Sequence, residues 1–218
     1  MDFTFLQDSW ELLLKGFWVT LRVFAASGLI ALVVGTFVAV GRVSPVPVMR
    51  AVGTAYVTLF RNTPLLLLLF ITYYGLPAMG IDFGFFWNVS LAAGLYTAAF
   101  VCEALRSGIN GVPVGQAEAA RAVGMPFSLT MTQVILPQAF RLVVPPMASV
   151  FIALAKNTSL VAALGLADIA FRLQGLMRDY PSSRTAVFLT IAAMYIIIVA
   201  AISLLASWAE RRWKVVAR

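Results

Sequence analysis

Two short runs in an otherwise apolar chain share one pattern: Arg61-Asn62-Thr63-Pro64-Leu65 and Lys156-Asn157-Thr158-Ser159-Leu160. Each sets a single cation beside an Asn-Thr pair. Guanidinium or ammonium, amide and hydroxyl in that order suit the binding of a small anion or zwitterion, a carboxylate above all. They break no bond by themselves. The chain has no His, which removes imidazole acid–base catalysis, His-Glu-x-x-His zinc sites and haem ligation by imidazole. Cys102 is the only cysteine, so an intrachain disulfide and a thiolate metal site are excluded. No Gly-x-x-x-x-Gly-Lys-Ser/Thr loop occurs, so the chain carries no phosphate-cradling loop of that type.

A third stretch, 103–137, is the one part of the chain composed for contact with water. Pro113 suits a helix start, 116–123 is rich in helix formers, and Gly124 can take the left-handed conformation that ends a helix. Pro126 then opens a second short helix at its first position, giving a helix-turn-helix knuckle closed at Pro137. Glu118 and Arg121 lie three apart on one face, where a pair contributes about 0.2–0.5 kcal/mol. An ordinary surface linker of mixed polarity is the plainer reading of the same residues.

These groups need a scaffold, and composition says which kind. Of 218 residues, 61% are hydrophobic and 11% charged, and the mean hydropathy is +0.93, against about half apolar and about a quarter charged in soluble domains. Such a chain is an integral membrane protein. Five apolar stretches, 17–40, 49–74, 89–105, 138–160 and 184–208, are long enough to cross ~30 Å of hydrocarbon as helices. A short interfacial segment, 5–15, carries Trp10 ahead of the first, and a polar connection, 168–183, precedes the last. Asp2, Asp8 and Glu11 near the N-terminus differ from the basic start of a cleavable signal peptide. With no linker or low-complexity segment, residues 1–218 read as one helical domain.

The net charge of +7 does not point to nucleic acid, because the basic residues punctuate the apolar runs and form no stripe. Arg42, Arg50, Arg106, Arg121, Arg141, Arg211, Arg212, Lys214 and Arg218 fall on one side, and Lys15, Arg172, Arg178 and Arg184 on the other. The richer side is cytoplasmic by the positive-inside rule, which puts the N-terminus outside and both the C-terminus and the knuckle inside. Three cations remain within spans, where each costs at least about 2.5–3.5 kcal/mol at the centre. Arg22 is close enough to the outer face to snorkel. Glu103, near the inner end of its span, can pair with Arg106. Arg61 lies eleven residues past Arg50, about 17 Å along a helix and near mid-membrane; Lys156 lies further out. Pro64 breaks the second span, with Thr63 as cap and Pro64 as first residue of a half-helix whose free N–H groups suit a substrate carboxylate. The alternative is a kink satisfied by neighbouring helices, with the cations paired to lipid phosphate or to Asp168.

Taken together, Glu118-Ala119-Ala120, three residues, Gly124, nine residues and Val134-Ile135-Leu136-Pro137 resemble the cytoplasmic loop of ABC-importer permeases. The order of the Arg61 run, the 103–120 segment, this loop and the Lys156 run is similar to the polar-amino-acid subfamily over nearly the full length. Val134 stands where that pattern usually has Ile. The resemblance implies an all-α integral membrane protein of the type I ABC-importer permease kind, with five transmembrane helices and a cytoplasmic coupling helix. It implies that Gly115, Glu118, Ala119, Ala120, Arg121, Gly124 and Pro137 couple the chain to an ATPase, and that Arg61, Asn62, Thr63, Pro64, Lys156, Asn157, Thr158 and Ser159 line the substrate pathway. Such a permease is no enzyme and binds no cofactor. It works in the cell membrane with two ATPase subunits that hold ATP and Mg, a second permease, identical or related, and an extracytoplasmic solute-binding protein. The expected substrate is a polar amino acid, glutamate or glutamine by the charge of the motifs. An ion-coupled secondary transporter or a channel subunit is the rival, and it needs a carboxylate in the central spans to carry the ion.

Overall fold

The computed structural model describes residues 3–213; Asp2, Lys214 and Arg218, used in the charge arguments above, lie outside them. The chain runs α1 Phe5–Val43, α2 Pro47–Asn62, α3 Leu65–Phe70, a π-helical turn Ile71–Gly75, α4 Leu76–Ala78, α5 Phe85–Asn110, α6 Val114–Ala122, α7 Phe127–Leu129, a second π-helical turn Thr130–Ile135, α8 Leu136–Asn157, a 3-10 helix Thr158–Leu164, α9 Ile169–Asp179, a 3-10 turn Pro181–Ser183 and α10 Arg184–Trp213. Four stretches among these residues are long and apolar enough to cross a membrane: Phe5–Val43, Phe85–Asn110, Phe127–Leu164 and Pro181–Arg212. A fifth crossing exists only as a bent pair, Pro47–Asn62 with Leu65–Ala78, turned by 100° at its break.

The bundle is organised on α1 against α5. Lipid tails are as apolar as leucine, so helices in a membrane gain little from burying apolar area against each other; they gain from close packing, which small residues permit. Along α1 the buried positions include Gly16, Thr20, Ser27, Ala31, Gly35 and Ala39, a seam of small side chains near four-residue spacing. At Gly35 the approach is close enough that a Cβ would stand 2.7 Å from the carbonyl oxygen of Ala98. Helix α8 packs on α5 and also touches α1, where Phe151 meets Gly28, and α10 packs on α8.

Several expectations from sequence change here. The interfacial segment 5–15 is not separate: α1 is continuous for 39 residues, about 58 Å at 1.5 Å per residue, well beyond the hydrocarbon core. Its exposed Lys15 and Glu11, four apart, pair at 3.4 Å and keep that end helical. Nor is 168–183 a mere connection. Asp168 caps α9 by accepting the Phe171 N–H at 2.8 Å, and Ile169, Leu173, Leu176 and Met177 recur on one face and pack into the core against α1 and α10.

Both π-helical turns end just before a proline. Leu76 N–H donates to the Ile71 carbonyl ahead of Pro77, and Leu136 N–H donates to the Met131 carbonyl ahead of Pro137. Proline has no N–H to give and its ring crowds the carbonyl four residues back; one extra residue in the turn relieves both. Pro137 therefore does not close the knuckle. The chain stays helical from Phe127 through Leu164, so the knuckle runs directly into a spanning helix.

Candidate functional site

Arg61 occupies the last turn of α2, just before the elbow at Thr63-Pro64. Its guanidinium lies over the Phe100 ring, 5.5 Å from the centroid, and 3.9 Å from Glu103 Oε1. Glu103 also accepts from Arg42 and from Arg106 Nη2 at 3.0 Å. One carboxylate thus gathers guanidiniums from α1, α2 and α5. The pair of Glu103 with Arg106 expected from spacing forms, and Arg42 and Arg61 join it. Arg61 meets this carboxylate and not the Asp168 of the alternative, because spacing along one helix exposes an i,i+3 partner and conceals partners carried by other helices.

Two cavities lie along the α5–α8 groove. The larger, about 650 Å³, is lined by Arg61, Phe100, Glu103, Arg106, Ser107, Asn110, Pro146 and Val150 among others, and opens toward the knuckle end of α5. The smaller, about 290 Å³, is lined by Tyr96, Thr97, Phe100, Ser149, Val150, Ala153, Leu154 and Asn157. Tyr96, Thr97, Phe100 and Ser149 escaped sequence reasoning. The signal for them was helical spacing: Ser149, Ala153 and Asn157 follow at i, i+4 and i+8, and Thr97 and Phe100 at i, i+3.

Of the proposed pathway residues, Asn157 faces the smaller cavity and Arg61 the larger, so the structure sets the two motifs along one groove without joining them at one point. Lys156 is exposed, lines neither cavity and forms no ion pair with Asp168. Asp168 instead accepts from the Tyr195 hydroxyl at 3.2 Å, and burial pushes its carboxyl up to about 6, against the lowering effect of these hydrogen bonds. Thr158 Oγ1 donates to the Ala155 carbonyl and Ser159 Oγ to the Lys156 carbonyl, so both hydroxyls serve the change from α to 3-10 helix at Asn157. Thr63 is not the cap of the half-helix: its Oγ1 donates back to the Leu59 carbonyl at 2.8 Å. Pro64 stands at the cap position, its carbonyl accepting from Leu67 and Leu68, and α3 starts at Leu65. Asn62 and Pro64 are exposed at the elbow. Arg22 lies over the Phe86 ring at 5.2 Å.

At the knuckle, α6 ends in a complete left-handed cap. Gly124 has φ +82°; its N–H donates to the Arg121 carbonyl at 2.9 Å, and the Met125 N–H donates to the Ala120 carbonyl at 3.0 Å. Ala120 is buried against the body of the protein, while Gly115, Glu118, Ala119 and Arg121 are exposed. Arg121 donates to the Ala117 carbonyl at 3.3 Å, so the expected pair with Glu118 does not form. Val114, Val123 and Phe127 are exposed at 69%, 78% and 75%, so the knuckle presents apolar side chains at both ends of α6 and at the start of α7. Pro113 and Pro126 each stand at the cap position, one residue before the helices they introduce.

A family model described as "Binding-protein-dependent transport system inner membrane component" matches residues 31–215. The chain is 36% identical to the probable glutamine ABC transporter permease protein GlnM of Bacillus subtilis (strain 168), covering 97% of this chain and 98% of that one. It is also 36% identical to the glutamate/aspartate import permease protein GltJ of Escherichia coli (strain K12), covering 91% of this chain and 85% of that one. Its backbone superposes on a solved chain described as an amino acid ABC transporter with histidines, with a TM-score of 0.89 at 30% identity, covering 97% of this chain and 99% of that chain. An all-helical membrane protein with a bent fifth crossing, matched along 31–215, belongs to the family of inner-membrane components of binding-protein-dependent transport systems.

Proposed function

We propose that the chain, acting over 1–218 as one permease domain, moves a polar amino acid through the α5–α8 groove of an ATP-driven importer. Glutamate and glutamine are the favoured substrates, as in the relatives named above. The observation that carries the reading is the continuity of the helix from Phe127 to Leu164. One end carries the Gly124-capped knuckle, and the other lines both cavities. A push on Glu118, Ala119, Ala120 and Arg121 by an ATPase pair is thereby passed to Pro146, Val150 and Asn157.

In this mechanism ATP and Mg stay on the ATPase subunits. Their closure moves the knuckles of this chain and of a second permease and turns the groove outward; a solute-binding protein delivers the amino acid, and hydrolysis returns the groove inward. Each ligand drives the switch only through its differential affinity for the two states. An ion-coupled carrier is disfavoured because Glu103, the acid within the central spans, is already engaged by three arginines. The deciding experiment is uptake in proteoliposomes holding permease, ATPase and binding protein. Accumulation should require ATP and ignore imposed ion gradients; dependence on an ion gradient would refute the reading.

Orientation follows from the charge count. In a background lacking Cys102, a cysteine at Gly80, in the loop before α5, should react with an impermeant thiol reagent added outside intact cells. One at Gly115 should react only once the membrane is opened. The reverse pattern would overturn an external N-terminus and a cytoplasmic C-terminus.

Asn157 is the pathway residue that lines the smaller cavity. Replacing it with Leu removes the amide from the 290 Å³ cavity. A hydrogen bond to a charged ligand group contributes about 1.5–3 kcal/mol, so uptake should fall roughly tenfold to a hundredfold. Lys156→Met, at an exposed charge, should cost only roughly two- to fivefold. Transport assays on both variants decide the ranking, and a greater loss in Lys156→Met would move the carboxylate site away from the cavity.

A further inference from the structure

The two cavities are separated by little more than two side chains, because Phe100 and Val150 line both. We propose that Phe100, held in place by Arg61, is the inner gate of this pathway. The proposal rests on the reading of the groove as the substrate path and goes beyond it by assigning the barrier.

Three features converge on Phe100. Its ring sits midway along α5 between the lining residues of the smaller cavity, Tyr96 and Thr97, and those of the larger, Glu103 and Ser107. Its face is covered by the Arg61 guanidinium at 5.5 Å, which Glu103 holds from the side at 3.9 Å. An aromatic face attracts a cation even where the guanidinium is half-exposed, so the contact keeps both side chains in the groove. Arg61 in turn stands two residues before the Thr63-Pro64 elbow, where the chain turns by 100°. The latch and the hinge are adjacent, so a change in the angle at the elbow withdraws the guanidinium from the ring and leaves Phe100 to swing against the Tyr96 ring, 5.1 Å away.

The same arrangement makes the gate responsive to cargo. No hydrogen bond ties the Arg61 side chain to a described residue; a cation–π contact and a long ion pair hold it. An arriving carboxylate offers that guanidinium a closer and charged acceptor than either. A ligand bearing a carboxylate therefore binds the open gate better than the closed one, the differential affinity that shifting the equilibrium requires. Amino acids satisfy this; amines of the same size without a carboxylate do not.

The test uses the whole complex, with ATPase and binding protein, in proteoliposomes loaded with labelled glutamate or labelled glutamine. Trapping with ATP and orthovanadate opens the outer side, so retention of the label reports the inner gate alone. Wild type should hold the label. Phe100→Leu, which keeps bulk and loses the aromatic face, and Arg61→Gln should leak roughly two- to fivefold faster, the rate equivalent of one half-exposed cation–π contact. Phe100→Ala should leak faster still; if it fails to assemble, Phe100→Leu and Arg61→Gln decide. Variants as tight as a wild type that accumulates label with ATP would overturn the gate and leave the pathway reading intact. A wild type that accumulates neither label with ATP would overturn both.

Discussion

Replacing Gly124 with Val should abolish coupled uptake while the protein still inserts and assembles. The position has φ +82°, which a side chain bearing a Cβ occupies at a cost of about 1–2 kcal/mol, with β-branched residues the worst placed. Nothing lies within 4 Å of where that Cβ would stand, so the damage is conformational and not steric. The backbone escapes strain by leaving the left-handed region, and both cap hydrogen bonds, from Gly124 and Met125 to the end of α6, are then lost. The direction from α6 into α7 changes with them, and the exposed Val123 and Phe127 on either side of the turn lose their relative placement. Gly124→Ala should show the same defect in milder form. Gly175→Ala in α9, also with nothing within 4 Å and no positive φ, should leave uptake near normal and serves as the control. The readout is uptake together with ATPase stimulation by the loaded binding protein. Full stimulation and full uptake in Gly124→Val would show that the knuckle does not couple.

That knuckle was legible because its signals are local. Pro113, Gly124 and Pro126 each act on their own backbone, and a residue that restricts or frees its own dihedrals announces a boundary wherever it stands. Membrane spans were legible for a similar reason, since length and apolarity are properties of a segment. What failed was non-local or depended on detail. Pro137 looked like a stop because proline ends most helices, but a wide turn upstream absorbed it. Thr63 looked like a cap because threonine precedes a break, yet its hydroxyl bonds backward to Leu59. Arg61 looked like an unmatched cation because its acid sits on α5, forty-two positions away in sequence. The pathway candidates fared unevenly on the same principle. Asn157 faces a cavity and its neighbour Lys156 does not, a difference of one residue and about 100° around a helix, which only packing against α5 decides.

Glu103→Gln should be the most destabilising single change at the site. The carboxylate faces three guanidiniums, and its own side chain is 23% exposed while that of Arg42 is 13% exposed. At an effective dielectric near 20, each close pair represents about 4 kcal/mol of attraction before desolvation is counted, and stranding a buried charge by removing its partner costs about 3–5 kcal/mol. Arg61 and Arg106 are 47% and 38% exposed, so both can turn to water and the loss falls mainly on Arg42. An expected destabilisation of about 2 kcal/mol follows once that solvent access is allowed for. Arg42→Gln in the same chain removes the stranded cation, so the double variant should recover part of the loss, with a coupling energy of about 1–2 kcal/mol. Glu103→Asp, one methylene shorter, keeps the charge but not the reach to three helices and should fall between wild type and Gln. Thermal unfolding of the purified complex measures all four. Because Glu103 also steadies Arg61 over Phe100, Glu103→Gln should leak in the trapped state as the Arg61 variant does, whereas a purely structural carboxylate would lower the unfolding temperature without loosening the gate. Strict additivity of the two substitutions would mean that Arg42 and Glu103 do not depend on each other, and the three-helix cluster would then be an arrangement of charges without a shared energy.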